Sequence, residues 1–321
     1  APRDLAFSAQ RDLASWRHQL QDRLSTLVGD MPQRVDPAPR WGDPVAHEGF
    51  SERRLVFSSE PGVDVPCTLL VPHGGEGPFP LMICLQGHSS GMHISLGRAQ
   101  HPGDERALSG DRDYALQAVA RGFAALAVEQ RCLGERLDRR PEVAHHFDHT
   151  CVHASMVSLL LGRTMIGERV WDISRAIDVV SGLDAVATTR IACMGNSGGG
   201  TVTYYAACLE PRIAAVMPSC SVCTYRSSIG SIDHCPDNYV PGALRHFDMG
   251  DLAGLIAPRP LVVVAGRDDP IFPLSGVEEA METIRRIYSA HGAPGGCELV
   301  VGEGGHRFYA QAWDTFLSIT G

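Results

Sequence analysis

The chain has 321 residues, is 44% hydrophobic and carries a formal net charge of −9. That length fits one large α/β domain or two small ones, the acidic balance argues against nucleic acid, which wants a basic face, and no apolar run approaches the roughly 18 residues of a membrane span. All 28 basic residues are arginine, which excludes an internal-lysine Schiff base and a Walker-type phosphate loop.

The N-terminus, "APRDLAFSAQ", lacks a charged-then-apolar signal pattern, and a cytoplasmic location is the expectation. Between about residues 8 and 28, Leu13, Trp16, Leu20, Leu24 and Leu27 recur in steps of three and four, which predicts an amphipathic helix. "GDMPQRVDPAPRWGDP" then breaks it with four prolines. Residues 1–45 therefore read as a helical extension and linker, and 46–321 as the main domain.

From there apolar runs alternate with helical ones. The predicted strands are "RRLVFSS", "VDVPCTLLVP", "PLMICLQG", "FAALAVEQ", "RIACMG", "IAAVMPSC", "PLVVVAG" and "CELVVG". The predicted helices are Asp113 to Arg121, Arg169 to Leu183, Gly198 to Leu209, Val277 to His291 and Tyr309 to Ile319. The first two strands have no helix between them and read as an antiparallel hairpin. The later runs behave as buried parallel strands. The fold class is α/β, a doubly wound and mostly parallel sheet of about eight strands with an antiparallel edge. Two stretches, 130–167 and 221–257, are too long to be simple connections. Both follow strands, so both are expected at the carboxyl edge of the sheet, as lid-like insertions.

"RIACMG" followed by "GGGTVTYYAACLE" places Ser197 on a sharp strand-to-helix turn, within Gly195-Asn196-Ser197-Gly198-Gly199. The helix start offers N–H groups and a positive dipole to a developing oxyanion. A serine hydroxyl needs a base, and in this arrangement an acid and then a histidine follow in chain order. "PLVVVAGRDDPIFP" supplies Asp268 and Asp269 just past a strand, and "CELVVGEGGHRF" supplies His306 just past the last one. Only one aspartate can face the histidine, and Asp269 is expected to. The loop "CLQGHSSG" is expected to give the second oxyanion donor from the His88 backbone, beside Gly198.

These motifs, together with "VEQRCLGER", resemble the α/β-hydrolase superfamily, in its dienelactone-hydrolase-like and acetylxylan-esterase-like branch, over about residues 50 to 321. The resemblance implies a serine hydrolase of carboxylic esters, often acetyl groups on sugars, with no cofactor. Three positions depart from the pattern. Gln86 stands where histidine is usual, Ser197 where dienelactone hydrolases carry cysteine, and Gly198 where acetylxylan esterases carry Gln or Met.

The expected reaction is attack by Ser197 on short-chain esters, including acetyl esters of carbohydrates, with His306 as base and Asp269 orienting it. The alternatives are a peptidase or amidase on the same triad, or a non-catalytic binding module. Arg131 is a candidate to hold a substrate carboxylate, with an ion pair inside the loop as the alternative. Asn238 and Tyr239 are candidate sugar-facing groups. Cys220, Cys223, His234 and Cys235 allow metal, a local disulfide or a packed loop. His145, His146, His149 and His153 also look metal-like, but neither set has clean zinc spacing, and no metal is expected. The expected partner is a small-molecule or carbohydrate ester, with no nucleic acid and no membrane. Oligomeric state is not legible.

Overall fold

The computed structural model describes residues 3–140, 142–143 and 150–321. Nine strands make one sheet in the order β1-β2-β3-β5-β4-β6-β7-β8-β9. They are β1 (Arg40–His47), β2 (Phe50–Glu60), β3 (Val63–Pro72), β4 (Phe79–Leu85), β5 (Ala124–Val128), β6 (Val186–Asn196), β7 (Ile213–Ser219), β8 (Leu261–Gly266) and β9 (Cys297–Gly302). β1, β2, β3 and β5 pair antiparallel in turn. From β5 through β4 to β9 every pairing is parallel. Strands buried on both faces read as continuous apolar runs, which is why β5 (AALAV) and β8 (LVVVAG) are plain in the sequence.

The additional strand, β1, begins inside the segment expected to be linker. Most of its residues are exposed or half-buried, and its register slips between Trp41 and Pro44. An edge strand with a proline shows no inward alternation, so periodicity does not find it.

The helices are α1 (Leu13–Val28), α2 (Asp104–Leu108), α3 (Tyr114–Val119), α4 (Cys151–Leu160), α5 (Met165–Val180), α6 (Gly198–Leu209), α7 (Leu274–Ala290) and α8 (Ala312–Thr320). Alternate strand residues feed two cores. Leu81, Ile83 and Leu85 pack with α5, α6 and α7. Met82 and Cys84 pack with Tyr114 of α3 and with Trp313 and Phe316 of α8. Two helix starts follow side-chain caps. α1 begins at Leu13, where the Asp12 carboxylate accepts the Ser15 N–H at 2.8 Å. α5 begins at Met165, ahead of the predicted Arg169, where Thr164 Oγ1 accepts the Gly167 N–H at 3.1 Å.

α1 buries Trp16, Leu20, Leu24 and Val28. A β-carbon at Gly254 would lie 2.4 Å from the Trp16 ring, so the indole rests directly on the backbone of the second insertion. The first insertion contains α4, whose inward face is Cys151, Ser155 and Ser158. Met156, Val157, Leu159, Leu160 and Leu161 are exposed. On α4 the small residues face the protein and the large apolar ones face out.

Candidate active site

β6 ends at Asn196 and α6 starts at Gly198, leaving Ser197 alone between them at φ 59°, ψ −127°. This left-handed strain is the kind stored at functional sites. It is held from both sides. The Ser197 N–H donates to the Ser219 carbonyl at 2.9 Å, and its carbonyl accepts the Thr201 N–H at 2.8 Å. The glycines are required by close approach. A β-carbon at Gly199 would sit 2.3 Å from the Leu85 carbonyl oxygen, and one at Gly195 would sit 2.6 Å from the same atom. Gly198 differs, since a β-carbon there would meet nothing nearer than 3.8 Å, and that neighbour includes the His88 ring. The space is open toward the loop, not closed by it.

That loop, Gln86–Ser90, follows β4. A β-carbon on Gly87 would lie 2.7 Å from the Ser197 β-carbon, which puts His88 beside the start of α6. The Gly198 N–H belongs to the first helical turn, whose donors have no intrahelical acceptor. Gln86, in the place where histidine is usual, is buried and pins the loop. Its Nε2 donates to Ser95 Oγ at 2.8 Å and to the Arg112 carbonyl at 2.7 Å, and its Oε1 accepts from Arg112 at 3.1 Å.

Asp269 follows β8 and His306 follows β9. Their contact, His306 Nδ1 to Asp269 Oδ2, is 2.8 Å. The other carboxylate oxygen accepts the Ile271 N–H at 2.8 Å and the Phe272 N–H at 3.1 Å. Burial alone would raise the Asp269 carboxyl, but the His306 hydrogen bond and charge and the two N–H donors outweigh it and hold it below its ordinary value of 3.8. Asp268 is exposed. Phe272 lies over the imidazole, ring centroids 5.9 Å apart and nearly parallel at 17°. The end of β7 links the two halves. Ser219 receives the Ser197 N–H, and next to it Cys220 Sγ donates to the Arg307 carbonyl at 3.2 Å. Sequence reasoning did not single out Cys220 for this place. Its sulfur, an Asp269 oxygen and a His306 nitrogen lie within 4.8 Å of one another. Burial first, then the Asp269 charge, push its thiol up to about 12, so it stays protonated.

The remaining candidates are placed otherwise. Arg131 is a structural cation. Its guanidinium donates to Asp172 at 2.9 Å through two nitrogens, to Glu168 at 2.9 Å and to Glu60 at 2.7 Å, leaving no face for a substrate carboxylate. Asn238 is buried, with its amide on Asp237 at 2.9 Å. Tyr239 is exposed, but its hydroxyl donates to the Ile229 carbonyl at 2.6 Å. Neither presents its polar group to a sugar. None of the ten cysteines is in a disulfide. His145, His146 and His149 lie outside the described residues.

Asp237 is a second group that sequence reasoning missed. It is buried, 3.0 Å from His88 Nε2 and 2.8 Å from Arg169. No local pattern marks it, because its partners come from β4's loop and from α5. Through it the second insertion grips the oxyanion loop, and α4 of the first insertion packs on the same Pro236–Asn238 turn. A cleft of about 440 Å³ is lined by Ser90, His93, Arg98, Glu129 and Arg139 among others, and none of Ser197, His88, Asp269 and His306 borders it.

The model of the Abhydrolase family matches residues 4–300. The chain is 25% identical to the candidate hydrolase YtaP of Bacillus subtilis (strain 168), covering 90% of this chain and 94% of that one. It is 28% identical to the 4-O-methyl-glucuronoyl methylesterase of Phanerochaete carnosa (strain HHB-10118-sp), covering 88% of this chain and 70% of that one. Among solved structures, a candidate acetyl xylan esterase from Bacteroides fragilis NCTC 9343 superposes with a TM-score of 0.78 at 18% identity, over 94% of this chain and 78% of that one. At that identity the likeness shows the fold.

Proposed function

The chain belongs to the Abhydrolase family, and from that premise we propose that it is a serine hydrolase of carboxylic esters, acting on short acyl groups carried by carbohydrates. Ser197 attacks the ester carbonyl. His306 takes its proton and returns it to the leaving alcohol, while Asp269 holds the imidazole and balances the imidazolium. The Gly198 and His88 N–H groups receive the oxyanion. Water then cleaves the acyl-enzyme. The observation that carries this reading is the strained Ser197 between β6 and α6, with the 2.8 Å His306–Asp269 pair past the next strand ends.

The sugar reading is supported by the names of the proteins this chain is similar to, a candidate acetyl xylan esterase among the solved structures and a glucuronoyl methylesterase among the relatives. A second reading, a methyl ester of a uronic acid, is favoured by the 28% likeness to a glucuronoyl methylesterase. The two place the sugar on opposite sides of the scissile bond. Acetylated xylo-oligosaccharides assayed beside methyl glucuronate and the amide of the same acid separate them. We expect acetate release to dominate. Methanol release alone would establish the second reading, and amide cleavage at a comparable rate would overturn both.

Acyl size gives a further test. An extra methylene that fits gains about 0.8 kcal/mol, whereas one that must displace insertion side chains loses roughly 1–3 kcal/mol. On p-nitrophenyl esters kcat/KM should peak at about two to four acyl carbons and fall steeply by about eight. A rise toward octanoate would end the short-chain reading.

A further inference from the structure

The fold takes apart the Cys220, Cys223, His234 and Cys235 cluster and assembles another. Cys223 turns away, its sulfur donating to the Pro273 carbonyl at 3.8 Å, and Cys220 joins the Asp269–His306 pair. His88 of the oxyanion loop, Cys151 at the start of α4, and Cys235 and Asp237 around the Pro236–Asn238 turn come together instead. One ring nitrogen, two sulfurs and one carboxylate oxygen from these residues lie within 4.8 Å of one another. We propose that His88, Cys151, Cys235 and Asp237 bind one zinc ion, which ties the oxyanion loop to both insertions.

Donor chemistry selects the metal. Two thiolates with an imidazole and a carboxylate suit a borderline-soft divalent ion in a tetrahedral site, and exclude magnesium or calcium, which take oxygen. Zn–S near about 2.3 Å and Zn–N near about 2.0 Å set ligand-to-ligand separations of roughly 3–4 Å. The His88–Asp237 distance is 3.0 Å, and no pair in the cluster exceeds 4.8 Å, so little movement closes the site. The charges also balance. Two thiolates and a carboxylate around a doubly charged ion leave one negative charge, and the buried guanidinium of Arg169 cancels it. Arg169 donates to Asp237 at 2.8 Å and to Cys151 Sγ at 3.2 Å, and Asn238 donates to the other Asp237 oxygen at 2.9 Å. Such outer partners hold ligands in place. Leu133 and Met165 close the apolar side, and Thr150, next in the chain to Cys151, lines a cleft of about 340 Å³ with Cys132 and His153. Uptake displaces the two thiol protons and the proton that His88 Nε2 donates to Asp237. With four protein ligands the ion has no position for a reacting water, so its role is structural and the nucleophile remains Ser197.

The competing arrangement is the Asp237–Arg169 ion pair with protonated thiols, or a disulfide from Cys151 to Cys235 or Cys132. The test uses the full chain, reduced, loaded with zinc chloride and desalted, with metal content measured by mass spectrometry. Cobalt(II) is then loaded in place of zinc and read by absorption. About one zinc per chain is expected, with cobalt showing thiolate charge-transfer bands and intense tetrahedral d–d bands. Cys235→Ser should lose at least about tenfold in zinc affinity, while Cys223→Ser should keep its zinc. Ser197→Ala should also keep it, so this outcome stands apart from the esterase assignment. Should Cys235→Ser fail to fold, the cobalt spectrum of the unaltered chain decides. Zinc below about a tenth per chain, cobalt without thiolate bands, or a mapped disulfide at Cys151 would overturn the site.

Discussion

Ser197, Asp269 and His306 each stand just past a strand end, and that is why they were legible. Chain order and strand boundaries survive in the sequence, whereas side-chain partners do not. Arg131 shows the difference. From sequence it is a cation after β5, and nothing local says that Glu60 of β2 and Glu168 and Asp172 of α5 will surround it. Ser197→Ala should lose at least about 10³-fold in kcat while staying folded. Steady-state turnover near that of the unaltered chain would remove the nucleophile. Asp269→Asn should reduce activity far more than Asp268→Asn, because only Asp269 is buried against His306. A reversed ranking in matched assays would contradict this. The sign of the pH effect follows from the lowered Asp269 carboxyl. Its stabilising contribution is present above the ordinary value of 3.8 and is lost as pH falls through the depressed one. Asp269→Asn should therefore flatten the acid loss of stability below about pH 4, read from urea midpoints. An unchanged acid slope would mean that the carboxylate is not held as described.

At the scale of elements, stability and chemistry separate. Arg131 joins β2, the first insertion and α5, with Arg136 and Arg163 sharing its acids. Arg131→Leu leaves buried carboxylates short of a partner and should cost roughly 3–5 kcal/mol, less whatever Arg136 and Arg163 recover. A raised KM with an unchanged urea midpoint would instead restore Arg131 as a substrate group. α1 is bound by Trp16, whose indole donates to the Leu5 carbonyl at 2.9 Å and lies on Gly254. Trp16→Ala should destabilise by about 3–5 kcal/mol and leave kcat/KM of the folded fraction unchanged. A drop in kcat/KM at unchanged stability would give α1 a part in the site. α4 was illegible for a physical reason. Apolar spacing predicts which face is buried only when the large residues point inward, and here serines do.

For the whole molecule, the parallel half of the sheet was open to reading because strands buried on both faces leave unbroken apolar runs. The antiparallel edge was half visible, and β1 was hidden by its exposure and its proline. The meeting of the second insertion with the oxyanion loop and α5 at Asp237 was hidden altogether, since its contacts join residues 88, 169 and 237 and leave no local period. The central claim rests on one atom, Ser197 Oγ, becoming acylated. The direct measurement is covalent trapping with a fluorophosphonate, followed by intact mass and peptide mapping. One adduct per chain is expected, on the peptide carrying Ser197 and absent from Ser197→Ala. An adduct on another residue, or no adduct in a chain that still hydrolyses esters, would contradict the account.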